Sequence, residues 1–445
     1  MRLAHRALWL GALACAAALA DPVLRAAWAQ GAQEQPPNPN DILGNLVVVA
    51  GATRPLPKIA VVPSLASNIE DVTLRSVVWR DLDLCGEFEV LPDSEAPEGS
   101  YLSGAAVDVK AWARKGVEAV VKVAGTKLDS GKIELASLAY FVTSGGRPVF
   151  EQRLEVDAGD VRPASHRISD ALIGALTGSS GGFASQMTFI VATGRSRRVY
   201  VIDADGHEPR AVSTEDHFAV SPAFGPGGKL YYAASVNHDE FKIFASGSAE
   251  PVAVNIPGSV YGLAFSRAGD KVAVSVAQGA NIRIFWGGGF DRLQRLSGVG
   301  TALHPAFLPD GRLGFSGAAK WGQRIHVGEK PISPAGLHAS APVFCRHPDG
   351  VRVVYAVGVG KDTDLVASDP SGGGLVRLTQ GQGRNGYPAC SADGRLVAFF
   401  STRRSGEGPG LYLMRLDGLR PKRISTLVGD SLRWGERLPP PGPAK

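Results

Sequence analysis

The sequence predicts an N-terminal mixed α/β domain followed by a six-bladed all-β propeller. A short sentence, HPAFLPDGRLGFSG at 304–317, returns as SPAFGPGGKLYYAA, GLAFSRAGDKVAVSV, APVFCRHPDGVRVVYAV and YPACSADGRLVAFFS. Its turn glycines, Gly228, Gly269, Gly311, Gly350 and Gly394, recur about every 42 residues, the mark of a repeat architecture. Ahead of the repeats the pattern changes to alternating strand and helix periods. The repeat region also begins with a second strand that has no first (MTFIVATG, 187–194) and ends with a first strand that has no second (SLRWGERLP, 431–439).

The chain opens with Arg2 and Arg6 ahead of an apolar run from Ala7 to Ala20, the layout of a secretory signal peptide. Cleavage is expected after Ala29, with the bond after Ala20 as the rival. The preceding Ala12-Leu13-Ala14 is a poor lipoprotein signal for Cys15, and no other apolar stretch reaches the roughly 20 residues that a membrane helix needs. Residues 30–45 are polar and Pro-rich and read as a mobile extension.

The α/β domain is assigned to 46–178. KIAVVPS reads as a buried strand. SNIEDVTLRSVVWRDLDLCG reads as a helix, with Ser67 and Glu70 at capping-box spacing and Ile69, Val72, Val77 and Leu82 toward one side. FEVLP is a strand and DVKAWARKG a short helix. VEAVVKVAGTKL, KIELASLAYFVTS and RPVFEQRLEVDA are three strands with Gly or Ser at their turns. SHRISDALIGALTG closes the domain as a helix ending at Gly178, and 179–184 is a linker.

The propeller is assigned to 185–437, with a tail at 438–445. In each unit an inner strand ends in Pro-Ala-Phe or its relative, a tight Asp-Gly or Gly-Gly turn follows, and a second strand returns. Third strands such as IRIFWGG and GLYLMRLDG and shorter fourth strands such as LVRLTQ complete a four-stranded blade. Five full sentences plus the two end fragments make six blades. The ring closes by pairing the last strand with the first, which removes exposed edges.

A formal net charge of +5 excludes any strong electrostatic case for nucleic acid. After signal removal three cysteines remain, Cys85, Cys345 and Cys390, an odd number with no CxxC spacing. Neither a disulfide framework nor a zinc site is expected, although an exported compartment would permit one bridge, and Cys390 reads as buried packing. GSSGG at 178–182 matches a nucleophile pattern formally, but that motif needs a strand before the serine and a helix after it. His166, Ser169 and Asp170 share about one helical turn, where a relay is hard to arrange. His217, His304 and His338 precede inner strands at differing offsets, so a polar rim is expected rather than a metal site. No catalytic site, cofactor or metal is expected.

SPAFGPGGKLYYA, the closing LRWG with Trp434, LVVVAGATRPLPKIAVVP at 46–63 and SHRISDALIGALTGSSGGF together resemble the TolB family, periplasmic components of the bacterial Tol-Pal envelope system. The resemblance covers the chain except its signal, extension and tail. It departs from the family pattern in having Phe or Cys for Trp in most repeats and Gly269-Asp270 in reversed order. It implies a monomeric periplasmic scaffold, not an enzyme, that links a peptidoglycan-associated lipoprotein to a TolA-like inner-membrane protein and supports outer-membrane integrity and constriction at division. The lipoprotein would be received where the segments entering the inner strands converge: Asp216, His217, Ser259, Tyr261, Thr301, His304, His338, Ser340, Asn385 and Tyr387. The inner-membrane partner would take the N-terminal segment, through Leu46, Val47, Val48, Val49, Gly51, Arg54 and Pro55, by adding a strand to a sheet edge. The alternatives are a propeller that binds peptidoglycan fragments or other glycans, and a peptidase-type propeller without its hydrolase domain.

Overall fold

The computed structural model describes residues 36–44, 55–65, 68–101, 106–236, 240–296, 298 and 300–438. The expected signal peptide, most of the extension, the N-terminal segment from Leu46 to Arg54, and the tail beyond Leu438 lie outside the described residues. Among the described residues no helix is long and apolar enough to cross a membrane.

The first domain is a five-stranded sheet in the order β2-β1-β3-β4-β5, built from β1 (Lys58–Val61), β2 (Glu89–Val90), β3 (Ala119–Lys127), β4 (Ile133–Phe141) and β5 (Phe150–Val156). β1 runs parallel to β2 and β3, whereas β3, β4 and β5 form an antiparallel meander. A short helix, α1 (Pro39–Leu43), precedes this sheet in the chain. Helices α2 (Ile69–Leu84) and α4 (Val161–Thr177) share a core with Ile59, Val61, Val121 and Leu135, and α3 (Val109–Arg114) brings Trp112 to Ala60 and Val120.

Helix α2 differs from its sequence reading at two points. Its cap is Asn68, whose side chain accepts the Asp71 N–H at 2.8 Å; Ser67 lies outside the described residues. Ile69 and Val72 are exposed, and the buried stripe is Asp71, Leu74, Val78, Asp81 and Leu82, with Val77 beside it. The periodicity missed this stripe because two of its members are carboxylates. Asp71 is tolerated there because its Oδ1 accepts the Gly125 N–H at 2.9 Å. Gly125 lets strand and helix approach closely: a Cβ at this position would stand 2.9 Å from the Asp71 nitrogen.

Helix α4 begins at Val161, a turn before the sequence reading, and ends at Gly178, which supplies the left-handed residue after the last turn (φ 83°). The apolar core then continues without a break into the second domain, where Ile168 and Leu172 share one cluster with Phe183, Phe189, Phe400, Leu411 and Leu432. The two folds therefore share a core.

Six sheets form the propeller. The closing sheet orders β28 (Asp430–Trp434), β6 (Gln186–Thr193), β7 (Ser196–Asp203) and β8 (Arg210–Ala211), so the C-terminal strand pairs with the N-terminal one at Asp430↔Ile190 and Trp434↔Met187. The next sheet has three strands, β9 (Phe218–Phe224), β10 (Leu230–Ser235) and β11 (Lys242–Ala245), with a single bridge at Pro251 where a fourth would lie. The remaining four sheets are four-stranded, and their innermost strands are β12 (Ser259–Phe265), β16 (Ala302–Phe307), β20 (Ala339–His347) and β24 (Asn385–Cys390).

The cysteines depart from expectation. Cys345 and Cys390 form a disulfide, with Cα atoms 5.4 Å apart, that joins the innermost strands of adjacent blades. Their spacing of 45 residues is about one repeat, so equivalent positions on neighbouring blades meet across the sheet-to-sheet contact. Cys85 remains a free, buried thiol.

Candidate functional site

The innermost strands start at one mouth of the central channel and finish at the other. At the starting mouth five of them carry a bulge whose residue has positive φ: Ser221, His304, Ala341, Tyr387 and Ser431, all between 49° and 56°. Such values are uncommon outside glycine, and bulges of this kind re-aim side chains. Each falls at a register shift in the pairing of its strand with the next.

The expected mouth residues separate into two groups. Tyr261 and Tyr387 are more than a third exposed, Asp216 and His338 are exposed, and Ser259, Thr301, His304 and Ser340 are half-buried. His217 and Asn385 do not face a partner. The His217 ring packs 4.4 Å from the Phe244 centroid and its Nδ1 lies 3.1 Å from the Tyr232 hydroxyl, and burial lowers its pKa. Asn385 is fully buried: its amide donates to the carbonyls of Thr363 and Gly383, and its oxygen accepts from Ser401. Both are internal braces. His304 stands next to Ser316 at 3.3 Å, and burial with the nearby Arg433 charge brings its pKa down to about 4. Three convergent histidines are therefore not assembled.

Two aromatic residues escaped the sequence reading. Phe218 is 36% exposed and Phe241 is half-buried; Phe241 lies 5.1 Å from the Tyr261 ring and 6.2 Å from Phe218. The Arg197 guanidinium sits 5.6 Å over Phe218, and its Nη2 donates to both carboxylate oxygens of Asp430 at 2.8 and 2.9 Å. An exposed aromatic group with a fixed arginine beside it has the composition of a protein-binding hot spot. Phe218 directly follows His217 at the start of an inner strand, a position that the repeat alignment could have flagged.

Pro55 is exposed and lines a cleft with Phe88, Phe141 and Arg420; the other named residues of the N-terminal segment lie outside the described residues. Upstream, α1 is capped by Asn38, and Ile42 and Leu43 pack against the blade that begins at β20. The buried Arg377 holds it there, donating to Asn40 Oδ1 at 3.0 Å and the Gly44 carbonyl at 2.9 Å while paired with the buried Asp364. Residues 38–44, read from sequence as mobile, are thus anchored, because an arginine and asparagine far apart in the chain supply polar contacts that composition does not reveal.

The nucleophile-like groups are occupied structurally. Ser180 Oγ donates to the Asp170 carbonyl; Ser169 Oγ donates to the Ser165 carbonyl; and the Asp170 carboxylate accepts the N–H groups of Phe183 and Ala184. His166 instead meets Asp81. Ligand atoms of Asp81, His166 and Asp205 lie within 4.8 Å of one another, a spacing that suits a cation. Asp205 already takes Arg162 at 2.6 Å on Oδ2 and the His207 N–H on Oδ1, so guanidinium charge occupies the place of an ion.

Residues 44–142 match the TolB amino-terminal domain. A solved TolB from Acinetobacter baumannii superimposes with a TM-score of 0.69 at 21% identity, covering 86% of this chain and 97% of that one. Residues 44–142 thus carry a TolB amino-terminal domain, and the chain as a whole has the TolB fold. The Tol-Pal system protein TolB of Thiobacillus denitrificans is 30% identical over 182 residues, and that of Geobacter metallireducens 28% over 149. These stretches cover 41% and 34% of this chain and span only 42% and 34% of the relatives' own lengths. The TolB match begins at Gly44, so α1 precedes the matched domain.

Proposed function

We propose that this chain is a periplasmic protein-binding scaffold of the Tol-Pal system, without turnover, exported by its N-terminal signal and acting as a monomer. The mouth at the start of the inner strands receives a peptidoglycan-associated lipoprotein, and the segment from Leu46 to Pro55 engages a TolA-like inner-membrane protein. The linkage supports outer-membrane integrity and constriction at division. The observation that carries this reading is the aromatic group at that mouth, Phe218 and Tyr261 exposed with the half-buried Phe241 between them, in a chain with a TolB amino-terminal domain. Aromatic anchors beside a fixed arginine provide apolar area at low entropic cost, and the half-buried Ser259, Thr301 and Ser340 form a polar rim.

A pull-down from envelope extract with residues 30–445, beside a version lacking 30–56, tests both ends. The scaffold reading expects a peptidoglycan-binding lipoprotein with both proteins and an inner-membrane Tol component with the longer one alone. Failure of both to recover a lipoprotein would set the reading aside.

The same aromatic group favours one second reading, a platform for glycans, since sugar rings stack on exposed aromatic faces. Titration with soluble peptidoglycan fragments separates the two: saturable binding lost in Tyr261→Ala, with no lipoprotein bound, would favour the glycan.

A further inference from the structure

The finishing mouth of the channel, opposite the aromatic one, holds a cavity of about 490 Å³ lined by the ends of all six innermost strands. Aligning those strands on Pro222, Leu263, Pro305, Pro342, Pro388 and Leu432 puts one residue per blade at the next position. Five are small: Ala223, Ala264, Ala306, Val343 and Ala389. The sixth, on the closing strand, is Arg433. All six line the cavity. The repeat thus specifies a small side chain at this position of the cavity lining, and the one exception places an arginine there.

Arg433 has nothing to neutralise it. Its Nη1 donates to the adjacent Leu432 carbonyl at 3.0 Å, and no carboxylate of the described residues lies within ion-pair distance. Burial alone lowers its pKa, to about 10, with no acidic group raising it again. Its charge reaches His304, which burial keeps neutral near pH 7. At the rim, Glu436 is taken by Arg267 at 2.8 Å, Arg437 is engaged by the carbonyls of Ser180 and Gly181, and Arg346 adds a further positive charge. A half-buried, partly desolvated charge without a partner costs the fold stability, which a bound anion would recover.

We propose that this cavity is a binding site for an organic carboxylate, with Arg433 as the residue that receives the anion. A guanidinium presents a planar fork that matches a carboxylate with two parallel hydrogen bonds. The walls favour an anion with a carbon body: Phe224, Phe265, Phe307 and Trp434 line the same space. A bare phosphate would leave oxygens facing these rings. The volume falls within the ordinary range for small-ligand pockets, roughly 300–1,000 Å³. The carboxylate could be a free acid or an acidic residue of a peptide threaded into the mouth. This site is separate from the aromatic mouth and does not rest on the scaffold reading.

The test is calorimetric titration and thermal melting of the mature protein, residues 30–445, at fixed ionic strength, with succinate, a terminally blocked tetraglutamate peptide, and inorganic phosphate as probes. Arg433→Ala restores the small residue of the other five blades and should fold, melting higher than the parent without ligand. Arg433→Lys keeps the charge and loses the fork. The proposal expects succinate, the peptide or both to bind the parent and raise its Tm, with affinity roughly ten- to a hundredfold weaker in Arg433→Ala and intermediate in Arg433→Lys. Binding of succinate identifies a free acid, and binding of the peptide alone a threaded segment. The proposal is overturned if neither carboxylate binds, if phosphate binds more tightly than both, or if Arg433→Ala binds as well as the parent.

Discussion

His166 Nδ1 lies 2.7 Å from Asp81 Oδ2, joining helices α4 and α2 within an ion network that reaches the propeller. Its other nitrogen stands 3.9 Å from Asp203, and Arg162 bridges Asp203 and Asp205 at 2.9 and 2.6 Å. Arg80 completes the network by donating to the Asp205 carbonyl. Burial opposes the charge on His166, and the carboxylates of Asp81 and Asp205 more than restore it, raising its pKa to about 9.

The network predicts a pH dependence with a definite sign. A histidine whose folded pKa is raised from 6.5 to about 9 adds stability that is complete below about pH 6.5 and lost as pH rises through 9. Asp170, raised to about 7 by burial, is half-ionised at pH 7 and finishes its change by about pH 8, adding a small fall of the same sign; His304, lowered to about 4, acts on the acid side; and the Cys85 thiol, pushed up to about 12, acts above 9. Urea melts should show stability falling by on the order of 3 kcal/mol across the window. His166→Gln should flatten that fall and cost roughly 3–5 kcal/mol near pH 7, since Asp81 would remain buried without its partner.

Reduction should weaken the propeller. Cys345 and Cys390 enclose a loop of 45 residues, and the chain-entropy relation gives roughly 4 kcal/mol for a crosslink of that span. The Cys345→Ser/Cys390→Ser variant should melt lower than the parent under oxidising conditions, and a thiol reductant should lower the parent toward the variant and leave the variant unchanged.

Arg377→Ala should release α1. Hydrogen exchange followed by mass spectrometry should show faster exchange at 38–44, with the α/β sheet unaffected. The loss of global stability should reach roughly 3–5 kcal/mol because Asp364 is left buried and unpaired. Unchanged exchange at 38–44 would mean that Ile42 and Leu43 hold the helix by packing alone.

The repeat arithmetic carried most of the fold, because a blade needs a turn glycine and small inner residues at fixed spacing. The misses have specific causes. The inward carboxylates of Asp71 and Asp81 hid the buried face of α2. The disulfide required knowing that repeat-equivalent cysteines on adjacent blades touch. At the mouth, the repeat identified which segments converge but not which side of the pleat each residue occupies, so His217 and Asn385 were placed outward while Phe218 and Phe241 were passed over. Arg433 stands in plain view beside Trp434, but its meaning depends on the five small residues that take the same place in the cavity lining.

The central claim is that the aromatic mouth binds a protein. The most direct measurement is calorimetric titration of the soluble domain of a peptidoglycan-associated lipoprotein into the mature protein and into Tyr261→Ala/Phe218→Ala. Both side chains are more than a third exposed, so the variant should keep the parent's Tm within a few degrees. The account predicts saturable one-to-one binding by the parent and a loss of roughly 2 kcal/mol or more, about thirtyfold in Kd, for the variant. Equal affinity in both proteins, or no binding by a correctly folded parent, would contradict it.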